Sequence, residues 1–340
     1  MTNKERYAAW CEQIGNVPLM MQPWWMDAVC AGKEWDVILV ESQKSKDESP
    51  NASGVENAED ADSQAEPKIL GAMPYLLRKR LGRKYILMPQ QTQIGGIWVD
   101  SSITDNRWEI ARVCQAIDQQ LKQMHLSYYY QQYPIGSLPA EAMRGLGFRL
   151  RERITYRLDF LNDIDQIIES FSKNKRRQLQ KAASLVADTQ LTAEDFYRFH
   201  VHCLDAQHKR ISYTREFLLV LERKARRLGQ CEILSIRNLE GEVYAAAFLV
   251  WDRTTMYYLI PCYDPAYKDS GASALLVLEA IKMAHRKHLS FDFEGSMDSG
   301  VAKHYSQFGT TPTRYYGVEK CYHPLFRLAL WWQKIRERYI

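Results

Sequence analysis

The chain has 340 residues, room for about two ordinary domains at roughly 150 residues each. Its 46% hydrophobic, 12% aromatic and 25% charged residues are ordinary globular proportions, and its net charge of +4 is mild. Composition excludes a disordered chain, a collagen-like fibre and a small disulfide scaffold, and the charge excludes a dedicated DNA-packaging protein.

The seven cysteines (Cys11, Cys30, Cys114, Cys203, Cys231, Cys262, Cys321) are odd in number and contain no C-x-x-C pair. That argues for free thiols in a reducing compartment and against a structural zinc site. The opening segment MTNKERYAAWCEQIG lacks the apolar stretch of a secretory signal. The longest uninterrupted apolar run, Val243–Trp251, is too short to span a bilayer. The chain reads as a soluble cytoplasmic protein with no transmembrane segment.

In chain order, the first half predicts strands at Trp35–Glu41, Ile69–Leu77, Tyr85–Met88 and Gly96–Val99. Between the first two lies Ser42–Lys68, almost free of large apolar residues, which reads as a disordered acidic insertion swelling a hairpin turn. A helix is expected at Asp105–Met124, where Ile110, Val113, Ile117, Leu121 and Met124 make one buried face. Strand Ser127–Gln132, a short helix near Pro139–Leu146 and strand Phe148–Phe160 close this half. The second half predicts helices at Ile164–Phe171, Lys175–Val186, Ala193–Gln207 and Thr214–Leu228, then strands at Glu232–Arg237, Val243–Trp251 and Thr255–Cys262. Helix Ser273–His288, strand Ser290–Glu294, helix Asp298–Phe308 and strand Thr313–Glu319 follow.

From first strand to long helix the distance is 70 residues in the first half and 42 in the second, and the insertion of 27 residues accounts for all but one residue of the difference. Without it, both halves run three strands, long helix, strand, short helix, strand. The economical reading is two tandem α/β (α+β) domains with mixed, mostly antiparallel sheets, at residues 1–160 and 161–322, and a terminal helix at 323–340.

The strongest local signal is in the second half. A buried strand passes through Pro261 and Pro265 into Lys268-Asp269-Ser270-Gly271-Ala272-Ser273, where a helix starts. Small residues at a helix start leave amide N–H groups open to an anion, and Lys268 adds a cation. In the next strand, alternation places Phe291 and Phe293 in one layer and Asp292 and Glu294 on the opposite face. Two acids so placed repel, and burial raises at least one pKa, which suits a general base.

The order strand, K-x-x-G-x-S, helix, strand resembles the acyl-CoA-binding core of the GNAT N-acetyltransferases, whose phosphate loop reads [QR]-x-x-G-x-[GA]; Lys268 and Ser273 depart from it. The tandem layout, the basic segment Ser172–Ala182 and the stretches Asp292–Ser296 and Phe308-Gly309 resemble the FemABX-like branch, which has two GNAT-like domains. That resemblance implies an acyl group moved from acyl-CoA, held by Lys268, Ser270, Gly271, Ala272 and Ser273, to a small-molecule or peptidyl amine acceptor. Glu294 or Asp292 would take the amine proton and Tyr305 would protonate the leaving group. The same resemblance implies an alternative, an aminoacyl-tRNA-dependent peptidyl transferase acting on a peptidoglycan precursor of the cell wall. Enzymes of that kind commonly carry a lysine shortly before the FG pair, where this chain has Tyr305, so acyl-CoA is the favoured donor. A non-catalytic double-GNAT scaffold that binds a ligand is the third reading.

The entrance to the first half's long helix, Val99–Asp105, has no glycine or base and two acids. The donor site is therefore expected only in the second half, with the first half shaping the acceptor cleft. Candidates there are Trp24, Trp25 and the polar turn Gln91-Thr92-Gln93. Arg176 and Arg177 are candidates to clamp a phosphate of the acceptor or of tRNA. His200 and His202 point about 200° apart on a helix, so no metal site is expected. The helix at Pro324–Tyr339 mixes aromatic and basic residues; docking onto its own domain or a second subunit is the favoured reading, and peripheral contact with the inner membrane surface is the alternative.

Overall fold

Two helices absent from the sequence reading open the chain, α1 (Asn3–Ile14) and α2 (Pro23–Val29). Thr2 and Glu5 form a reciprocal capping box at the start of α1, Gly15 ends it in the left-handed conformation, and Pro23 occupies the first turn of α2. The computed structural model describes residues 1–30, 32–42, 67–159, 163–295, 297 and 299–323. Most of the expected insertion and of the terminal helix therefore lies outside the described residues.

The first half continues with β1 (Trp35–Glu41), β2 (Ile69–Arg80), β3 (Arg83–Leu87), the short β4 (Trp98–Val99), α3 (Arg107–Gln123), β5 (Leu126–Gln132), α4 (Leu138–Gly145) and β6 (Arg149–Leu158). The second half has α5 (Ile164–Ser170), α6 (Lys173–Lys181), β7 (Val186–Asp188), α7 (Ala193–Asp205), α8 (Arg215–Arg227), β8 (Cys231–Arg237), β9 (Val243–Trp251) and β10 (Thr255–Tyr263). It closes with α9 (Ala272–Arg286), β11 (Ser290–Asp292), α10 (Ser299–Ser306) and β12 (Thr311–Cys321). Two expectations need correction. The helix expected to reach Val186 stops at Lys181, and the chain turns into β7, which pairs with β8. The strand expected to reach Glu294 ends at Asp292, because Glu294 takes a left-handed φ of 59°.

Among the described residues all the strands join one sheet, in the order β1-β2-β3-β5-β12-β6-β11-β10-β9-β8-β7, with β4 added on β2. Leaving out the two-residue β4 and the α5-α6-β7 segment, the two halves repeat the order helix, helix, three strands, helix, strand, helix, strand, and they exchange their last strands. β6 of the first half pairs with β11 of the second, and β12 of the second pairs with β5 of the first. β6 and β12 then pair with each other over nine residues, from Thr311↔Arg157 to Glu319↔Arg149. Ladder hydrogen bonds therefore cross the boundary between the halves continuously.

Packing seals the same boundary. Tyr7, Trp10, Trp25 and Met26 of α1 and α2 share one apolar cluster with Phe196, Leu218, Leu221 and Phe248 of the second half. On the other face of the second half, Ala272, Ala274, Ala280 and Ala284 let α9 lie close against β8, β9 and β10. β9 is buried on both faces, which is why it reads as an unbroken apolar run.

Candidate active site

The parallel pairing of β10 with β11 lasts for three residues, Thr255↔Ser290 to Tyr257↔Asp292. Beyond it β10 runs on to Tyr263 while the other chain turns away, leaving one backbone edge of β10 without β11 beside it. The turn is made at Asp292. Its Oδ1 accepts the Glu294 N–H (2.8 Å) and the Thr155 hydroxyl, and its Oδ2 accepts from Arg157 Nη1 (3.0 Å). Burial pushes the Asp292 carboxyl up from its ordinary value, against the pull of Arg157, Thr155 and the Glu294 amide. Asp292 is therefore an internal partner of Arg157, and the expectation that it shares a free acidic face with Glu294 is corrected.

Gly295 has φ 53° and lies flush on β6, where a Cβ would come within 2.2 Å of the Ile154 carbonyl oxygen. This contact holds Glu294 at the wall of a cavity of about 300 Å³ lined by both halves. Gln91, Thr92, Gln93, Gln132, Arg153 and Tyr315 line the same cavity. Oε1 of Glu294 is buried and has no hydrogen-bond partner among the described residues. Burial, and then the neighbouring Asp292 charge, push its carboxyl well above the usual range. Burial also pushes the Tyr305 phenol to about 12, and Glu294 adds to that shift. Tyr305 sits on α10, packed against Phe293 at 4.6 Å between ring centres. The Glu294 charge is thus felt at Tyr305, although Tyr305 does not line this cavity.

A second cavity of about 340 Å³ lies on the other side of Gln93 and Tyr315, which line both. Gln93 Nε2 donates to the Tyr315 hydroxyl (3.1 Å). Turned to satisfy its neighbours, the Gln132 amide donates to Tyr315 (3.2 Å) and to the Gln93 carbonyl (3.1 Å). Its oxygen then accepts from Tyr130 (3.1 Å) and from Arg153 Nη2 (3.2 Å). Trp25 is fully buried and donates to Thr92 Oγ1 (3.1 Å), while Trp24 donates to Gln22 (2.7 Å). Neither tryptophan lines these two cavities: they anchor the residues that do, which corrects their expected contact with substrate.

At the expected phosphate loop, Gly271 begins α9 with φ 83°, and a Cβ there would meet the Gln178 carbonyl oxygen at 2.0 Å. Helix α6 therefore lies directly on the loop. Ser270 Oγ accepts the Ala272 N–H (3.1 Å), so that amide is satisfied internally, while Lys268 is exposed and Ser273 half-buried. Arg176 and Arg177 are exposed on α6, and Arg176 donates to the Glu169 carbonyl (3.0 Å). The structure brings neither into these cavities.

The inner face of α6 instead carries Lys175, 3% exposed. Its ammonium donates to Gln178 Oε1 (3.2 Å) and His304 Nδ1 (3.1 Å) and lies 4.8 Å from the centre of the Phe308 ring. Burial lowers it to about 8 and lowers His304 to about 4. Sequence reasoning counted Lys175 within a basic run and missed its inward direction. Leu179 and Ala182, four and seven residues on, mark that stripe as the packed one. It also missed Arg153, Gln132 and Tyr315; for Arg153, the alternating arginines of RLRERITYR were the available signal.

The acetyltransferase (GNAT) domain family matches residues 169–304. Among solved structures, FemX is similar over 96% of this chain and 98% of its own, with a TM-score of 0.69 and 12% identity. A tandem GNAT protein from the clavulanic acid biosynthesis pathway is similar over 94% of this chain and 95% of its own (TM-score 0.53, 10% identity). A conserved protein of unknown function from Bacteroides thetaiotaomicron is similar over 93% and 96% (TM-score 0.57, 11% identity). No curated protein matches the chain. The fold is the tandem GNAT fold of the FemX kind. Among the described residues no helix is long and apolar enough to cross a membrane, and no group of three or more histidines, cysteines or acids is placed to hold a metal ion.

Proposed function

We propose that the protein is an N-acyltransferase that moves an acyl group from a coenzyme A thioester to an amine seated in the cavity between its halves. The observation that carries this reading is the buried oxygen of Glu294 at the cavity wall, unpartnered among the described residues, with its charge felt at the Tyr305 phenol. A carboxylate whose pKa is raised by burial is a stronger base than an ordinary one, and a phenol pushed up to about 12 keeps its own proton to give. The amine nitrogen bonds to the thioester carbonyl carbon as its proton passes to Glu294. The carbon–sulfur bond breaks and the thiolate takes the Tyr305 proton.

For the donor, the residues that would face its phosphates are Lys268, Ser270, Gly271, Ala272 and Ser273 at the start of α9, where the Ser270 hydroxyl already takes the Ala272 amide and α6 lies on Gly271, with Arg177 exposed on α6. The free edge of β10 offers backbone hydrogen bonds to an extended chain, and the coenzyme supplies the activated carbonyl when bound. The test is calorimetry with acetyl-CoA and coenzyme A, joined to thiol release in the presence of amines. Binding that is weakened by Gly271→Ala, with turnover lost in Glu294→Gln, supports the reading. No heat with acyl-CoA, alongside binding of charged tRNA, overturns it.

One observation favours that second donor. The lysine that the peptidyl-transferase resemblance expects ahead of Phe308-Gly309 is missing in sequence, yet the Lys175 ammonium lies over Phe308 in space.

A further inference from the structure

Strand β6 turns Arg151, Arg153, Thr155 and Arg157 to one face by alternation. Two of these arginines have buried carboxylate partners: Arg151 pairs with Glu319 (2.7 Å) and Arg157 with Asp292 (3.0 Å). Arg153, between them, has no carboxylate within ion-pair distance among the described residues, and its Nε is buried without a partner. Its cross-strand neighbour is Tyr315, the hydroxyl of which feels both the Arg153 charge and that of Glu294. Glu294 and Arg153 line the same cavity, neither with an ion-pair partner among the described residues, and the uncharged Gln91, Thr92, Gln93 and Gln132 line it with them. Arg153 is half-buried and its Nη2 bonds only the neutral Gln132 oxygen (3.2 Å), so its charge and that of Glu294 both face the cavity unneutralised, at a cost. A ligand carrying both complementary charges relieves both costs at once, and a guanidinium fork matches a carboxylate in two parallel hydrogen bonds.

We infer that the acceptor is a small amine that also bears a free carboxylate, an amino acid or the end of a short peptide, with its acid on Arg153 and its amine at Glu294. This rests on the acyltransferase reading and names its substrate class. The test uses the full chain with proteinogenic amino acids and simple dipeptides, each offered as free acid and as C-terminal carboxamide, together with O-phosphoethanolamine. Thermal shift and calorimetry read binding, and thiol release from acetyl-CoA reads transfer. Expected is at least one free acid that binds about tenfold or more tighter than its carboxamide. That preference disappears in Arg153→Gln and is partly kept in Arg153→Lys, with both variants melting unliganded like the parent. The inference is overturned if no acid binds, if acid and carboxamide bind alike, if only the phosphate compound binds, or if Arg153→Gln keeps the preference. A bound acid that is never acylated sinks the transferase reading and leaves the ligand class standing. Acylation of amines without a carboxylate, unchanged in Arg153→Gln, does the reverse.

Discussion

Replacing Lys175 with methionine keeps the length of the side chain and removes a charge that has no acidic partner among the described residues. The lysine stands at about 8 in the fold against 10.5 in the unfolded chain. Below about pH 8 both states hold the proton, so the folded state carries the whole cost of burying the ammonium, at most about 3.4 kcal/mol. Above that pH the unfolded chain binds more protons than the folded one, and stability rises with pH. Between about pH 6 and about pH 10 the expected rise is about 2.5 kcal/mol. The two hydrogen bonds and the ring contact offset part of the cost at every pH, so the difference between parent and variant is the informative quantity. Urea unfolding of both proteins across this range measures it, because other titrating groups cancel in the subtraction. Lys175→Met is expected to be as stable as the parent or more so at pH 7, with the parent gaining on it as the pH rises. A difference that stays flat from acid to alkali refutes the argument that this ammonium is desolvated.

Glu294→Gln is expected to lower acyl transfer by about a hundredfold or more, and to abolish the rising acid limb of the rate profile, measured by thiol release against pH. The same change is expected to stabilise the protein at neutral pH. A carboxyl raised by the fold costs stability once the pH exceeds its unfolded value, so parent and variant should converge only in acid. Gly271→Ala adds a left-handed strain to a collision with Gln178 and is expected to cost about 2–4 kcal/mol in urea unfolding. Gly229→Ala, with φ 65° and open space around it, should cost only about 1 kcal/mol, so equal losses would remove the steric argument. Asp292→Asn leaves Arg157 with Asp159 alone at its guanidinium, and a loss of about 3 kcal/mol is expected by calorimetric or chemical unfolding.

Where one face of an element is buried and the period is plain, the sequence was legible. β1 and β9 fall where their alternating and unbroken apolar runs place them, and α3 follows its buried stripe of Ile110, Val113, Ile117 and Leu121. α1 went unread although Tyr7, Trp10, Cys11 and Ile14 have helical spacing and Thr2 and Glu5 form a capping box. The exchange of β6 and β12 was not legible, because it is decided by pairing between strands over 150 residues apart, and no local period carries register of that range. At the site, the Gly271 and Glu294 segments announced themselves by residue type. The pairing of Asp292 with Arg157 did not, since it depends on β6 lying beside β11. For the same reason Arg153 looked like one basic residue among several until its neighbours on the strand were seen to be matched and it was not.

The crossed strands also limit how such a molecule can breathe and be divided. A conventional two-lobed enzyme opens like a clam about a linker, but here such a motion would have to tear the β6–β12 ladder, so access to the cavity falls to side chains and to the turns at Gln91–Gln93 and Gly295. A cut near residue 160 yields two fragments that each carry a strand belonging in the other's sheet. Neither should stand alone in solution, and mixing them should restore what neither has, which makes the chain a natural candidate for split-reporter complementation.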